Sequence, residues 1–385
     1  MREMWFVWRV FKTLVSLKSK NRLKEISRMK KQKIAVLVSG GVDSSVALAL
    51  LKEQGHDLTA FYLKIWLEDE LAYLGDCPWE QDLAYARQVC EQLGVPLQIV
   101  SMQQVYHDCV VSYMLKEIER GRTPNPDMLC NQQVKFGAFY DVIDDSFDYI
   151  ATGHYAQVDH ALETSILKKG KDPVKDQTYF LAYLSQQQLS KALFPIGSYE
   201  KPEVRKLAKQ FDLPTESRKD SQGICFLGKF QFAEFLKAHF GTKQGDIVEF
   251  ETGKVLGQHN GYWFFTIGQR QGLGLSGGPW YVVSKDSDQN IVFISKKYDQ
   301  ITEHKSGMKV TQFNWISGTP SSKTELDVRF RHGPKLHPAT IVVQDDGRVQ
   351  VTLKQESKQG IASGQFAVLY DGDICLGGGV IEEAF

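Results

Sequence analysis

Residues Ile34 to Gly55, IAVLVSGGVDSSVALALLKEQG, leave this chain little choice of architecture. Ile34–Val38 is an unbroken apolar run and reads as a strand buried on both faces, as in a parallel sheet. The chain then turns through Ser39, Gly40, Gly41, Val42 and Asp43 into a helix whose Val46–Leu51 stretch is apolar at helical spacing. Gly55 is placed to end that helix, where a left-handed residue costs least. Strand, Ser/Gly turn and helix start gather backbone N–H groups at the positive end of a helix dipole, which makes a nest for phosphate. No Lys-Ser/Thr follows the glycines, so this is not a Walker loop, and the spacing is not GxGxxG.

Downstream, strands and helices alternate. Leu58–Trp66 reads as a strand, Trp79–Leu93 as a helix closed by Gly94, Leu97–Val100 as a strand and residues 104–119 as a helix. Met128–Ile143 reads as a further helix, and Tyr149–Thr152 as a short strand ending at Gly153-His154. The pattern predicts an α/β doubly wound parallel sheet, with ligands gathered at the carboxyl ends of its strands. From about Phe226 the texture changes. One more helix, Phe230–Phe240, leads into short strands and glycine turns: Asp246–Phe250, Tyr262–Thr266, Trp280–Val283, Ile291–Ile294, then Leu326–Phe330, Thr340–Val343, Val349–Leu353 and Gln365–Tyr370. These predict two small β-rich domains, the last a β-barrel. The expected units are an extension over residues 1–29, a nucleotide-binding domain over 30–225, a central domain over 226–302 and a barrel over 303–385.

Charge matters for one question, the partner. Of 46 Lys/Arg and 46 Asp/Glu, the first 28 residues hold eight and two, which leaves 38 against 44 and a net of −6 for the rest. A nucleic acid would therefore be met by local basic patches, not by a global field. The basic, aromatic start, with Trp5, Phe6, Trp8 and Phe11, reads as an added segment, disordered or absent from the mature protein, because Met29-Lys30-Lys31 directly precedes the first strand. No apolar run is long enough to span a membrane. Six cysteines without a disulfide framework fit a reducing compartment, hence a cytoplasmic location, and no C-x-x-C pair supports a metal centre.

Two cysteines have informative neighbours. Cys130 follows Thr123-Pro124-Asn125-Pro126-Asp127-Met128-Leu129, where Pro126 and Asp127 suit a first helical turn. There the dipole favours a thiolate and Asp127 opposes it. Cys225, in Asp220-Ser221-Gln222-Gly223-Ile224-Cys225-Phe226-Leu227-Gly228, reads as carried on a mobile loop. Taken alone, either also reads as a buried structural thiol, as do Cys77, Cys90, Cys109 and Cys375. Ser-Gly-Gly-Val-Asp-Ser resembles the pyrophosphate loop of ATP pyrophosphatases. Such a loop beside two loop-borne thiols suggests that a carbonyl oxygen is adenylated, then replaced by sulfur, with a second thiol resolving the adduct.

At these residues the chain resembles the tRNA-specific 2-thiouridylases, over about Lys33 to Glu382. The motifs are SGGVDSS, GRTPNPDMLCNQQVKF, DYIATGHY, KDQTYFL, LFPIG, KPEVRKLA, KDSQGICFLG, TIGQRQGLG, PWYVV and CLGGG. The resemblance implies ATP-dependent 2-thiolation of a wobble uridine, with Leu37, Val38, Ser39, Gly40, Gly41, Val42, Asp43, Ser44, Leu63 and Gly153 holding ATP. Asn125, Pro126 and Asp127 would meet the target base, Asp127 as acid/base and Cys130 as nucleophile, and Cys225 would carry the persulfide. Lys175, Asp176, Gln177, His154, Arg329, Phe330 and Gln365 would contact tRNA, although the family usually shows Arg-Tyr where this chain has Arg329-Phe330. The implied cofactors are ATP with Mg²⁺, Asp43 being the expected ligand of the ion. The implied partners are tRNA and a persulfide donor, either a cysteine desulfurase or a sulfur-relay protein. Two rival readings share the loop: a synthetase adenylating a small carbonyl or carboxylate, which needs no cysteine pair, and a tRNA-binding protein in which ATP is only a switch.

Overall fold

The computed structural model describes residues 31–65, 79–160, 163–219, 232–298, 306–355 and 360–385. The expectations for residues 1–30, Cys77 and Cys225 lie outside them. Five strands form an all-parallel sheet: β1 (Lys33–Leu37), β2 (Asp57–Lys64), β3 (Leu97–Ser101), β4 (Tyr149–Ala151) and β7 (Ala192–Leu193), in the order β3-β2-β1-β4-β7. Strand side chains alternate between faces, and β1 shows what that does. Ile34, Val36 and Val38 enter one apolar core with helices α1 (Val42–Glu53) and α2 (Trp79–Leu93), while Ala35 and Leu37 enter the other. Cys90 lies buried in the first of these cores.

Residues 103–119 form one helical run: α3 (Gln103–Tyr106), a π-turn His107–Val111 and α4 (Ser112–Glu119). The expected helix over 128–143 is broken. It is α5 (Pro126–Leu129), a π-turn Cys130–Lys135 and a 3-10 turn Ala138–Asp141. Past β4 come the β5–β6 hairpin (Ala156–Asp159, Ile166–Lys169), α6 (Thr178–Leu181), α7 (Gln186–Ser190) and α8 (Lys201–Gln210). Helix α9 (Phe232–Phe240) precedes a four-stranded sheet of β8 (Gly245–Glu249), β9 (Val255–His259), β10 (Tyr281–Asp286) and β11 (Ile291–Ser295), in the order β10-β11-β8-β9. Tyr262–Phe264, expected as a strand, is a 3-10 turn packed into that sheet's core.

Six strands close the last unit as a barrel: β12 (Gly307–Trp315), β13 (Glu325–Arg329), β14 (His337–Val343), β15 (Val349–Leu353), β16 (Phe366–Asp371) and β17 (Ile374–Ala384), with β12 pairing β17. Strand β16 is buried on both faces. Ala367 and Leu369 fill the barrel, whereas Phe366, Val368 and Tyr370 join the core under the parallel sheet. The β5–β6 hairpin extends the barrel's sheet through an Ile374–Lys168 pairing, supported by the Lys169 N–H donating to the Asp373 carbonyl at 2.9 Å. Barrel and first domain are therefore one packed body along this seam.

Candidate active site at the carboxyl edge of the parallel sheet

The phosphate loop joins β1 to α1. Gly41 caps the helix with no side-chain hydrogen bond, so the first N–H groups of α1 are not covered by a cap. Ser44 and Ser45 hydroxyls donate back to the Gly41 carbonyl at 3.2 and 2.8 Å, and the Ser39 N–H donates to Ser44 Oγ at 3.2 Å. Two glycines are dictated by geometry. Gly40 has φ +70°, and a Cβ there would lie 2.1 Å from the Asp82 carbonyl oxygen. At Gly153, which follows β4, a Cβ would lie 2.6 Å from the Ser44 nitrogen. The end of β4 thus rests on the loop. Ser39 is exposed at the tip, Leu37, Val38 and Val42 are buried beneath it, and Leu63 is half-buried near the end of β2.

Asp43 is engaged from two sides. The Tyr155 hydroxyl donates to Oδ1 at 2.8 Å, and Lys201 Nζ at the start of α8 donates to both oxygens at 2.8 and 2.9 Å. Lys201 thereby neutralises the carboxylate that the sequence offers as a magnesium ligand. Among the described residues no group of three or more His, Cys, Asp and Glu is arranged to hold a metal. Arg218 completes the cradle, donating to the Gly40 carbonyl at 2.6 Å and pairing with Asp82. Tyr155 and Arg218 are not site residues in the sequence reading, and Lys201, which opens KPEVRKLA, is there a candidate for tRNA in the basic run Lys201–Lys209 and not a partner of the phosphate loop.

Asn125, Pro126, Asp127 and Cys130 lie together on α5 and the turn after it. Cys130 is 1 % exposed. Burial pushes its thiol up, Lys135 lowers it and Asp127 raises it. The expected helix-dipole advantage is therefore overridden: α5 is a single turn, and desolvation disfavours a buried thiolate more than four residues of dipole favour it. The π-turn places Lys135 back over this region, its Nζ donating to Asn131 Oδ1 at 2.9 Å. Lys135 also contributes to holding His154 well below its ordinary range, behind burial as the larger cause. One cation thus influences both the Cys130 turn and the residue next to Gly153. His154 Nδ1 is 2.7 Å from the Thr152 hydroxyl.

The 175–180 turn links these parts. Gln177 pairs with Tyr155 in both directions, its N–H to the carbonyl at 2.8 Å and its Oε1 from the N–H at 2.9 Å. Asp176 accepts from Gly170 N–H, from the Thr178 hydroxyl and, at 2.6 Å, from Arg329 of the barrel. Tyr179 shares a hydrogen bond with the Asn125 side chain. From the barrel side, Gln365 Nε2 donates to the carbonyls of Thr123 and Pro124, both at 3.1 Å, and the Thr123 N–H donates to Ser363. Asp176 and Arg329 are buried and pair between this turn and the barrel, Phe330 is buried in the barrel's own core, and half-buried Gln365 braces the 123–130 loop. Lys175 remains half-exposed on the same turn.

A cavity of about 510 Å³ opens at the opposite, amino edge of the sheet, lined by residues including Ile34, Leu51, Tyr149, Leu193 and Phe194. It contains none of the site residues. The site is instead an open edge of backbone N–H groups beside the seam.

The chain matches three family models in succession: the tRNA methyl transferase HUP domain over residues 32–229, the tRNA methyl transferase PRC-barrel domain over 233–296 and the aminomethyltransferase beta-barrel domain over 305–381. It is 47 % identical over 355 residues to the tRNA-specific 2-thiouridylase MnmA of Parabacteroides distasonis, covering 90 % of this chain and 98 % of that protein. It is 45 % identical to tRNA-specific 2-thiouridylase MnmA 1 of Bacteroides thetaiotaomicron, over 90 % and 99 % of the two chains. It is also 45 % identical to the tRNA-specific 2-thiouridylase MnmA of Porphyromonas gingivalis, over 90 % and 98 %. With its phosphate loop, its Cys130 turn and its barrel in the places described above, this chain belongs to the tRNA-specific 2-thiouridylase family.

Proposed function

We propose that this chain, an ATP-dependent tRNA-uridine 2-sulfurtransferase, works by adenylation at the phosphate loop followed by a two-cysteine sulfur relay. The nest between β1 and α1 binds the pyrophosphate portion of ATP, and the uridine O2 attacks the α-phosphorus, expelling pyrophosphate. The 123–130 loop receives the base, with Asp127 moving the proton. A persulfide on Cys225, loaded by a cysteine desulfurase or a sulfur-relay protein, attacks C2 and AMP leaves. Cys130 then attacks the Cys225 sulfur, a Cys130–Cys225 disulfide forms, and the outer sulfur stays on the base. A thiol reductant resets the pair. Magnesium accompanies ATP as the counter-ion of its phosphates, and the setting is the cytoplasm, where tRNA and donor are available.

The observation that carries this reading is the shared hub: one turn, 175–180, ties the phosphate loop through Gln177 and Tyr155 and the base loop through Tyr179 and Asn125. A synthetase acting on a small molecule has no use for a barrel bracing that base loop, which disfavours the alternative. The test is a split phenotype. Cys225→Ser should lose label from a radiolabelled sulfur donor, whereas Cys130→Ser should keep label at Cys225 yet make no 2-thiouridine. Both should still bind ATP and tRNA. Normal thiolation by either variant would sink the relay.

A further inference from the structure

Helix α6 carries two adjacent rings, Tyr179 and Phe180, 5.4 Å apart and edge to face. Each is tied to one end of the base loop. Tyr179 bonds the Asn125 side chain, and the Phe180 carbonyl accepts from Asn131 Nδ2 at 3.0 Å. Tyr179 is also fixed from the barrel, since its hydroxyl donates to the Phe366 carbonyl at 3.1 Å. A third ring sits on this pair. His332, from the turn after β13, stacks on Phe180 with centroids 4.7 Å apart and planes 29° apart, and lies 6.4 Å from Tyr179.

Tyr179 is buried and Phe180 half-buried, but His332 is exposed. Core packing therefore does not account for it. The sequence projects it outward: β13 ends at Arg329, Gly333 takes φ +144° and Pro334 follows, so the strand cannot continue. Partial desolvation of its ring and the neighbouring Arg329 hold the imidazole below its ordinary range, against the opposing pull of Asp176 and Asp127. The ring is neutral at neutral pH, a flat aromatic surface beside the loop that takes the base. Single-stranded RNA bases are recognised by stacking on such rings, histidine included.

We propose that His332, backed by Phe180, is the stacking platform for a tRNA nucleobase adjoining the target uridine. The barrel then supplies a ring to the site, and His332 is a positioning residue for the reaction. This rests on the tRNA-thiolation reading. Full-length wild type, His332→Ala and His332→Phe are compared with unmodified tRNA carrying 2-aminopurine next to the target uridine. The alanine variant should bind tRNA about 10- to 100-fold more weakly and lose the fluorescence quench, while phenylalanine restores both. ATP binding, melting temperature and the salt dependence of tRNA binding should be unchanged, because stacking neutralises no phosphate. Equal affinity and quench in His332→Ala overturns the platform, and so does a parallel loss in both variants with a lowered melting temperature, which marks a packing role. If wild type binds and quenches this tRNA but never thiolates it, the thiolation reading fails and the platform stands.

Discussion

Arg329 and Asp176 meet across the seam at 2.6 Å, each side chain 2 % exposed. The carboxylate is also bonded by Gly170 and Thr178, and the guanidinium lies 4.9 Å from the Tyr370 ring centroid. Removing one partner leaves a buried charge unanswered. Asp176→Asn or Arg329→Met should therefore cost about 3–5 kcal/mol, read as a lower urea midpoint. The double variant Arg329→Met with Asp176→Asn, which removes both charges yet keeps an acceptor for Gly170 and Thr178, should recover much of the loss. Single variants with wild-type midpoints would remove the pair's joining role.

Asp43 sets a second expectation. Its carboxylate fixes Lys201 and Tyr155 beside the phosphate nest. Asp43→Asn should lower tRNA-dependent pyrophosphate release by about 100-fold or more while circular dichroism stays unchanged. Normal release from the folded variant would refute this.

Cys130 should be a slow nucleophile in the absence of ligands. Burial, helped by Asp127, raises its pKa, so at neutral pH the thiol form dominates. Its alkylation by iodoacetamide at about pH 7.5 should run at least about 10-fold slower than that of free cysteine, and should climb with pH without a plateau below about pH 9. Asp127→Asn should speed the reaction and Lys135→Met should slow it. Mass mapping of the modified peptide distinguishes this thiol from the others.

Lys175 is the half-exposed cation of its turn. Lys175→Ala should weaken tRNA binding for all sequences alike and lower the salt slope by about one. Arg329→Met should leave that slope unchanged wherever the variant folds, because its charge is turned inward.

The phosphate loop was legible because it is local: Ser39, Gly40, Gly41 and Asp43 are contiguous, and strand and helix periods flank them. Its partners were not legible. Lys201 and Tyr155 reach Asp43 from 158 and 112 residues away, and Arg218 reaches Gly40 from 178 away, so only the topology brings them in. The π-turn at Cys130–Lys135 escaped notice because one wider turn barely changes the apolar spacing that announces a helix. Tyr262–Phe264 misled through composition, since consecutive aromatics favour strands while burial in the central core gives a 3-10 turn here. Arg329 and Gln365 were found as important positions, but only their burial and partners reveal that they hold the barrel in place.

The pairing of β6 with β17 has a consequence in time. A ribosome adds about 5–20 residues per second, so the roughly 200 residues between Lys168 and Ile374 take about 10–40 s to appear. For that interval the hairpin of a nearly complete nucleotide-binding domain has an open edge, the kind of template on which strands from other chains assemble. Strand β17 covers it. Loss of β17, by truncation or a premature stop, should therefore release not a smaller enzyme but an adhesive one.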